Sequence, residues 1–234
     1  MSASAVLERA IEAYGGEERW RSIGTIEARG SCNGLLFRWK RGHGFSDLHI
    51  RAKVWEPWIQ LASVDSDGSV GILNGHDVRI ERPSGELVQE RPYARGKFPY
   101  GRRLFHWDLM DVVYFTGYAF WNYLTLPALL IRDDVSWDQL SDTVLEANFP
   151  DWLPTHARRQ KFHFDPETGL LRQYDYTAEV FGAFAKASHI LQHSESDGVV
   201  YTSGRLIKPT IAGKPFAFPL LIHAEIDEFR PVPA

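Results

Sequence analysis

Residues 47–54 read Asp-Leu-His-Ile-Arg-Ala-Lys-Val, and this stretch decides the fold class. Apolar side chains stand at every second position from Leu48 to Val54, and polar or charged side chains fill the positions between them. Successive side chains of a β-strand point to opposite faces of its sheet. The alternation therefore predicts a strand with one face on a core and the other in water.

The same pattern continues along the chain after this strand. Three more strands are predicted at 58–64, 69–73 and 77–82. They are separated by Asp67-Gly68 and Asn74-Gly75, and such dipeptides favour tight hairpin turns because they tolerate positive φ. Short turns between neighbouring strands predict antiparallel pairing.

Further strands are predicted in both halves of the chain. Residues 25–31 are one, and 35–40 are another because Leu35, Phe37 and Trp39 alternate with the residues between them. The later strands are predicted at 143–149, 155–165, 170–180, 186–195, 198–207 and 220–229. Such a series predicts an antiparallel meander that either closes into a barrel or wraps around helices.

Two segments break the β pattern and predict helices. Residues 3–14 form a short amphipathic helix that stops at Gly15-Gly16, and 17–22 can add one turn with Trp20 facing inward. Residues 107–131 are long and lack alternation, so we expect one or two helices that cover the sheet.

The remaining stretches predict loops within one domain. Residues 83–104 are rich in Pro, Gly and Arg and predict an exposed connection, and residues 208–219 predict a loop at the rim. We find no internal repeat, low-complexity tract or linker, so residues 1–234 are expected to form a single domain. The fold class is mainly β, with one curved antiparallel sheet, an N-terminal helix and a central helical insert.

The composition excludes several classes of protein. A net charge of −4 does not show the excess of positive charge that is typical of nucleic-acid-binding proteins. The single cysteine, Cys32, cannot form an internal disulfide and is expected to fill core space. Aromatic residues make up 13% of the chain, with eight Trp, and large rings line ligand pockets as well as cores.

The N-terminus and the longest apolar stretch bear on location. The opening residues have no basic start followed by an apolar run, as a secretory signal would. The stretch from Tyr118 to Ile131 is 14 residues long, and a membrane helix needs about 20. We therefore expect a cytoplasmic protein that is not integral to a membrane.

Familiar catalytic and cofactor motifs are missing from the sequence. It contains no GxxxxGK[ST], no Gly-rich dinucleotide turn, no GxSxG and no HExxH. His189 and His193 share a strand face, but no third ligand with matching spacing accompanies them. No cofactor and no metal site are expected.

The densest aromatic and polar cluster lies at 106–123 in the predicted helical insert. Helical spacing places Asp111, Tyr114 or Phe115, Tyr118 and Asn122 along one face. These side chains, with Trp121, either form a pocket ceiling with a few polar anchors or pack as an ordinary helix on the sheet.

A second candidate group lies on the predicted strand 155–165. Alternation places one set of side chains on a single inward face: His156, Arg158, Gln160, Phe162 and Phe164. Buried polar groups without partners cost about 1–3 kcal/mol each, so these need partners, a ligand or water. Asp175 on the next strand could pair with His156 or Arg158 as an acid–base unit, or the pair could be structural.

Three stretches resemble proteins of the LolA/LolB lipoprotein-carrier type. They are residues 10–30, with Tyr14-Gly15-Gly16 between helix and first strand, residues 162–176, with Asp165 and Gly169-Leu170 at a hairpin, and the turn at 197–200. The resemblance implies an unclosed β-barrel with helices in its opening and an apolar cavity for acyl chains. The residues near the N-terminus show neither a signal-peptide pattern nor a lipobox cysteine, which departs from the family, and the aromatic insert suggests a different ligand.

Two functions follow from these observations. The first is binding of a lipophilic small molecule in an apolar cavity, with ligand contacts from Phe115, Tyr118, Trp121, Asn122, Arg158, Gln160 and Phe162. The alternative is a cofactor-independent cyclase, isomerase or hydrolase acting in the same cavity on a hydrophobic metabolite, for example one of secondary metabolism. Proton transfer would then come from His156, Asp175, Asp111 and Tyr114.

Overall fold

The computed structural model describes residues 3–182, 186–211, 214–216 and 218–234. The α-helices are α1 (Ala3–Ala13), α2 (Glu17–Arg21), α3 (Leu35–Arg41), α4 (Leu109–Leu124) and α5 (Leu126–Leu130). The strands of the first half are β1 (Ile23–Asn33), β2 (Phe45–Lys53), β3 (Trp58–Ala62), β4 (Val70–Asn74), β5 (Asp77–Glu81) and β6 (Leu87–Arg91). Those of the second half are β7 (Ser136–Ser141), β8 (Val144–Asn148), β9 (Arg159–Phe164), β10 (Leu171–Thr177), β11 (Lys186–Ser196), β12 (Val199–Ile211), β13 (Lys214–Pro215) and β14 (Ile222–Pro233).

The strands form one large antiparallel sheet that is not closed. Its order is β6-β5-β4-β3-β2-β1-β14-β12-β11-β10-β9-β8-β7, and the short β13 pairs only with β12. Each half of the chain is a meander, and β14 joins them by pairing with both β1 and β12. The predicted fold class, including the open sheet, is confirmed.

Helices α4 and α5 connect the two edges of the sheet. The chain leaves edge strand β6, crosses through α4 and α5, and returns as edge strand β7, so the helices lie within the opening. Every residue from Met110 to Leu124 is buried, as expected of a helix that is apolar on all sides. The predicted central insert is therefore confirmed. None of the helices in the described ranges is long and apolar enough to span a bilayer.

Helix α4 packs closely on strands β3, β4 and β5 of the sheet. A Cβ atom added to Gly71 would lie 2.7 Å from both γ-carbons of Val113, and one added to Gly117 would lie 3.2 Å from Leu73. At Gly71 the Val113 side chain already occupies the space that a methyl group would fill, whereas at Gly117 the Leu73 side chain would have to move by a few tenths of an ångström.

The predicted strand at 35–40 is wrong, because this segment is helix α3. Its buried side chains are Leu36, Phe37 and Lys40, whereas Leu35 and Trp39 are exposed. This is the one-face spacing of a helix. Six residues are too few for the apolar pattern to distinguish a strand from a helix.

The other corrections concern sheet edges and strand ends. The predicted loop 83–104 contains β6, and β7 was not predicted, because an edge strand with little buried surface shows no alternation. The strand predicted from 155 begins only at Arg159. The predicted rim loop 208–219 holds the end of β12 and β13, and its residues 212, 213 and 217 lie outside the described residues.

Candidate ligand-binding site

An apolar cavity of about 570 Å³ lies between helices α3 and α4 and strands β10, β11, β12 and β14. Its lining comprises Leu36, Trp39, Lys40, Arg103, Leu104, Phe115, Tyr176, Ala178, Val180, Phe181, Lys186, Ala187, Ile207, Pro209, Thr210, Leu221 and Ile222. The floor consists of buried side chains such as Phe115, Val180 and Ile207. The mouth lies at the exposed end, where Trp39 is 63% exposed.

A buried lysine stands in the cavity wall near the mouth. The Lys40 ammonium group donates a hydrogen bond to the carbonyl oxygen of Arg103 at 3.0 Å, and its Nζ lies 4.5 Å from the ring centre of Trp39. Burial lowers the pKa of Lys40. The backbone carbonyls and aromatic rings around this cation satisfy it without a carboxylate.

The outer face of the sheet carries a groove of about 660 Å³, larger than the inner cavity. Charged and polar side chains dominate its walls, among them Glu27, Arg29, Arg51, Glu228 and Arg230. Size alone does not make a site for a small molecule, because such sites have mainly apolar walls and a few polar groups. The inner cavity meets this description and the outer groove does not.

Behind the cavity floor lies a buried cluster of phenols and imidazoles, which we call the inner cluster. It comprises Tyr118, Tyr123, His156, Tyr174, Tyr176, His189 and Arg205. Tyr176 belongs to both spaces, since it also lines the cavity. Its ring stacks on His156 with centroids 4.2 Å apart, and its hydroxyl is hydrogen-bonded to His189 Nε2 at 2.7 Å.

Both histidines of the inner cluster are neutral at pH 7. Burial lowers the pKa of His156 and of His189 well below the usual value, and the positive charge of Arg205 lowers both further. The hydroxyl of Tyr123 is hydrogen-bonded to His156 Nε2 at 3.2 Å, whereas His156 Nδ1 has no partner. The cluster thus holds unused hydrogen-bonding capacity in the interior.

Arg205 on β12 is the charged member of this cluster and is only 3% exposed. Its Nη1 donates to His189 Nδ1 at 3.4 Å, and its guanidinium carbon lies 4.0 Å from the ring centre of Tyr123. The atoms Nε and Nη2 have no hydrogen-bond partner. Because arginine can only donate, His189 accepts at Nδ1 and carries its proton on Nε2, facing Tyr176.

The predicted ligand contacts lie in different places. Phe115 lines the cavity, Tyr118 belongs to the inner cluster, and Asn122 and Phe162 border a small space of about 10 Å³ beside Arg205. Gln160 is also inside, where the Tyr174 hydroxyl donates to its Oε1. None of these placements tests ligand binding, so the contacts stay predictions.

Two predicted contacts have surroundings that do not fit an inward pocket role. Trp121 is buried, but its Nε1 donates to the carbonyl oxygen of Lys53 at 2.8 Å, and it lines neither cavity. The Arg158 side chain is 64% exposed and lies 3.4 Å from Asp151. The predicted inward orientation of Arg158 is wrong, because the strand that would impose the alternation starts one residue later.

The predicted partners of Asp175 are also wrong. Tyr174 and Tyr176 point inward, so Asp175 points to the outer face of the sheet. It pairs there with His163 Nε2 at 2.8 Å, and Gln173 also donates to it. Burial raises the pKa of Asp175, but the hydrogen bonds from these partners outweigh burial and lower it overall.

The other two proposed acid–base residues have structural partners of their own. Asp111 completes a capping box with Asp108 at the start of α4 and forms ion pairs with Arg91 and Arg103, each at 2.6 Å. The Tyr114 hydroxyl is hydrogen-bonded to the imidazole of a histidine, His76, at 3.0 Å. Neither residue contacts His156 directly, so the four candidates do not form one catalytic group.

In the described parts of the chain, no three His, Cys, Asp or Glu side chains lie close enough together to hold a metal ion. His189 and His193, the two histidines on one predicted face, are each bonded to a tyrosine hydroxyl instead, Tyr176 and Tyr14.

The sequence interpretation missed Lys40, Tyr176, His189 and Arg205 as members of a site. The position of Lys40 cannot be predicted from residues 35–40, because their pattern also fits a strand. A signal for Arg205 was present, because it stands two residues before the inward-facing Ile207 on the same strand. An arginine at an inward position of a strand is uncommon and marks a special environment.

The fold has counterparts among solved structures, although no protein-family model and no curated protein matches the sequence. A LolA superfamily protein from Nitrosomonas europaea matches with a TM-score of 0.56 and 10% identity, over 100% of this chain and 96% of that one. A DUF1329 family protein from Desulfovibrio piger matches with a TM-score of 0.53 and 12% identity, over 97% of this chain and 92% of that one.

A third match is a domain from Vibrio parahaemolyticus that is described as an outer membrane lipoprotein-sorting protein. Its TM-score is 0.53 at 11% identity, over 98% of this chain and 93% of that one. At such identities the likeness establishes the architecture and leaves the cargo open. The open sheet, the helices in its opening and these three matches agree: the chain has a LolA-like fold.

Proposed function

We propose that this protein binds a lipophilic small molecule in the cavity between α3, α4 and the sheet. The observation that carries the proposal is an apolar space of about 570 Å³ with an exposed mouth, within the range of about 300–1,000 Å³ usual for small-molecule sites. Each methylene group that a ligand buries there contributes about 0.8 kcal/mol. An aliphatic chain or a flat apolar ring system suits such walls.

The similar folds support this proposal. One of the matched structures is described as a lipoprotein-sorting protein and another as a LolA superfamily protein, so the architecture is one associated with lipid-bearing cargo. The mouth also carries exposed side chains, Lys186 beside Trp39 and Leu104. Mainly apolar walls with few polar groups suit a lipophilic or amphipathic molecule.

The test is a titration with N-phenyl-1-naphthylamine, an uncharged apolar probe whose fluorescence rises when it leaves water. We expect saturable binding to the wild-type protein. Ala187→Trp should weaken binding at least about tenfold, because Ala187 lines the cavity and displacing two methylene-sized contacts already costs about 1.6 kcal/mol.

Ala62→Trp is the matched control, because Ala62 borders the outer groove instead. Its probe affinity should equal that of the wild type. The proposal fails if the wild type does not bind the probe, or if Ala187→Trp binds it as tightly as Ala62→Trp does.

A further inference from the structure

The inner cluster contains a cation without a counter-charge. Arg205 is 3% exposed, and in the described part of the chain no carboxylate forms an ion pair with it. Its bond to His189 and its contact with the Tyr123 ring leave Nε and Nη2 without partners. A desolvated guanidinium with two unused donors is costly for the folded protein, which calls for an explanation.

The side chains around Arg205 do not supply the missing charge. The groups that interact with it electrostatically include the phenols of Tyr14, Tyr123, Tyr174 and Tyr176. Burial raises the pKa of each of these phenols, so each stays neutral at pH 7. A negative partner for Arg205 would therefore have to come from outside the chain.

Arg205 does not line the cavity but is connected to its wall by hydrogen bonds. Tyr176 lines the cavity and is hydrogen-bonded to His189, which in turn accepts a hydrogen bond from Arg205. Two hydrogen bonds thus connect the cavity wall to the guanidinium. The space directly beside Arg205 is about 10 Å³, enough for about one water molecule. A carboxylate head from the cavity would reach Arg205 only if the Tyr176 side chain turned away from His189, and the proposal requires this rotation.

We propose that the ligand carries an acidic head, and that Arg205 binds this head as a carboxylate while the apolar tail fills the cavity. The inference rests on the proposed function. The carboxylate oxygens would accept from the free Nε and Nη2 of Arg205. Charge-assisted hydrogen bonds of this kind are among the strongest in proteins.

The test compares dodecanoic acid with 1-dodecanol at pH 8, each measured by displacement of N-phenyl-1-naphthylamine. The two differ only in the head, so the ratio of their affinities isolates the contribution of the charge. The wild type should bind the acid about 10- to 100-fold more tightly than the alcohol, the range expected of a charge-assisted hydrogen bond. In Arg205→Met the ratio should fall to about threefold or less, with alcohol affinity retained.

Lys40→Met tests the competing position of the head, because Lys40 is a buried cation that lines the cavity. Arg51→Met is the control, because Arg51 borders the outer groove, and it should keep the wild-type preference for the acid. Loss of the preference in Lys40→Met and not in Arg205→Met would place the head at the mouth and overturn the proposal. Arg205→Lys keeps the positive charge but loses the planar pair of N–H donors of the guanidinium, so it should retain part of the preference for the acid over the alcohol.

The remaining outcomes separate this inference from the proposed function. Equal binding of acid and alcohol by the wild type overturns the proposal of an acidic head but does not contradict ligand binding in the cavity. Failure to bind the probe overturns both. If Arg205→Met does not fold, the ratio of acid to alcohol affinity in the wild type and in Arg205→Lys still tests whether Arg205 binds the acidic head. If sodium acetate displaces dodecanoate completely at millimolar concentration, the site takes small anions and the proposal fails.

Discussion

Replacing Arg205 with Met should make the ligand-free protein more stable, although it removes a fully buried side chain. Arg205 is 3% exposed and two of its three nitrogens have no partner. Methionine keeps an unbranched apolar stem of similar reach and removes the charge. The folded state then no longer has to hold an unpaired guanidinium away from water.

The magnitude follows from the contacts of the guanidinium. Its desolvation costs several kcal/mol. The Tyr123 ring at 4.0 Å returns about 2 kcal/mol, and the bond to His189 returns about 1 kcal/mol. A net gain of about 2 kcal/mol on substitution is expected, near the middle of the range found when buried ionic groups become apolar. In a chain of this size that gain raises Tm by about 4–8 °C.

The assay is thermal unfolding followed by circular dichroism, on protein refolded from guanidinium so that no co-purified lipid remains. Arg230→Met is the control, because the Arg230 side chain is 67% exposed and pairs with Glu27 on the surface. Its unfolding free energy should change by less than about 0.5 kcal/mol. An Arg205→Met variant that melts below the wild type would refute the reasoning, since Arg205 would then have effective partners in the free protein.

Three further predictions concern other parts of the molecule. Gly71→Ala should lower the free energy of unfolding in urea by about 1–3 kcal/mol, because its methyl group would lie 2.7 Å from Val113. A Gly71→Ala/Val113→Ala double variant that recovers none of the lost stability would contradict this cause. Asp108→Ala should cost at least about 1 kcal/mol in the same assay, because the Asp108 side chain accepts from the backbone at the start of α4 and pairs with Arg91, and an unchanged midpoint would count against both contacts. Burial lowers the pKa of His193 to about 4, so stability should decline as pH falls from about 6.5 to 4, where the unfolded chain takes up a proton that the folded chain refuses. The decline should be shallower in His193→Gln, and a profile identical to the wild type would exclude His193 as its source.

The parts of the fold that the sequence predicts are those in which burial on one side imposes a period. Residues 45–53 alternate because one face of β2 lies on the core and the other faces solvent, and α4 shows no alternation because it is buried all round. The segment of helix α3 predicts a strand because its few residues fit both the two-residue period of a strand and the 3.6-residue period of a helix. Edge strands β6 and β7 were missed because a strand with little buried surface carries no pattern.

The candidate site was less predictable because it depends on contacts between distant parts of the chain. His156 and Tyr176 stack although they belong to different segments, and Arg205 reaches His189 only through the pairing of β11 with β12. A β-bulge in that pairing, between Gln192 and His193, shifts the register. Alternation predicts that a residue faces inward but does not predict which partners it meets there.

The central claim is that the apolar space beside α3 and α4 holds the ligand, and a crystal structure with 12-bromododecanoic acid tests it most directly. The anomalous signal of bromine reports the position of the tail without interpretation of weak density. We expect the bromine inside the cavity of about 570 Å³, towards its mouth at Trp39 and Leu104, with the carboxylate beside Arg205. A bromine bound only in the outer groove near Arg51 and Arg230, with the inner cavity empty, would contradict the claim.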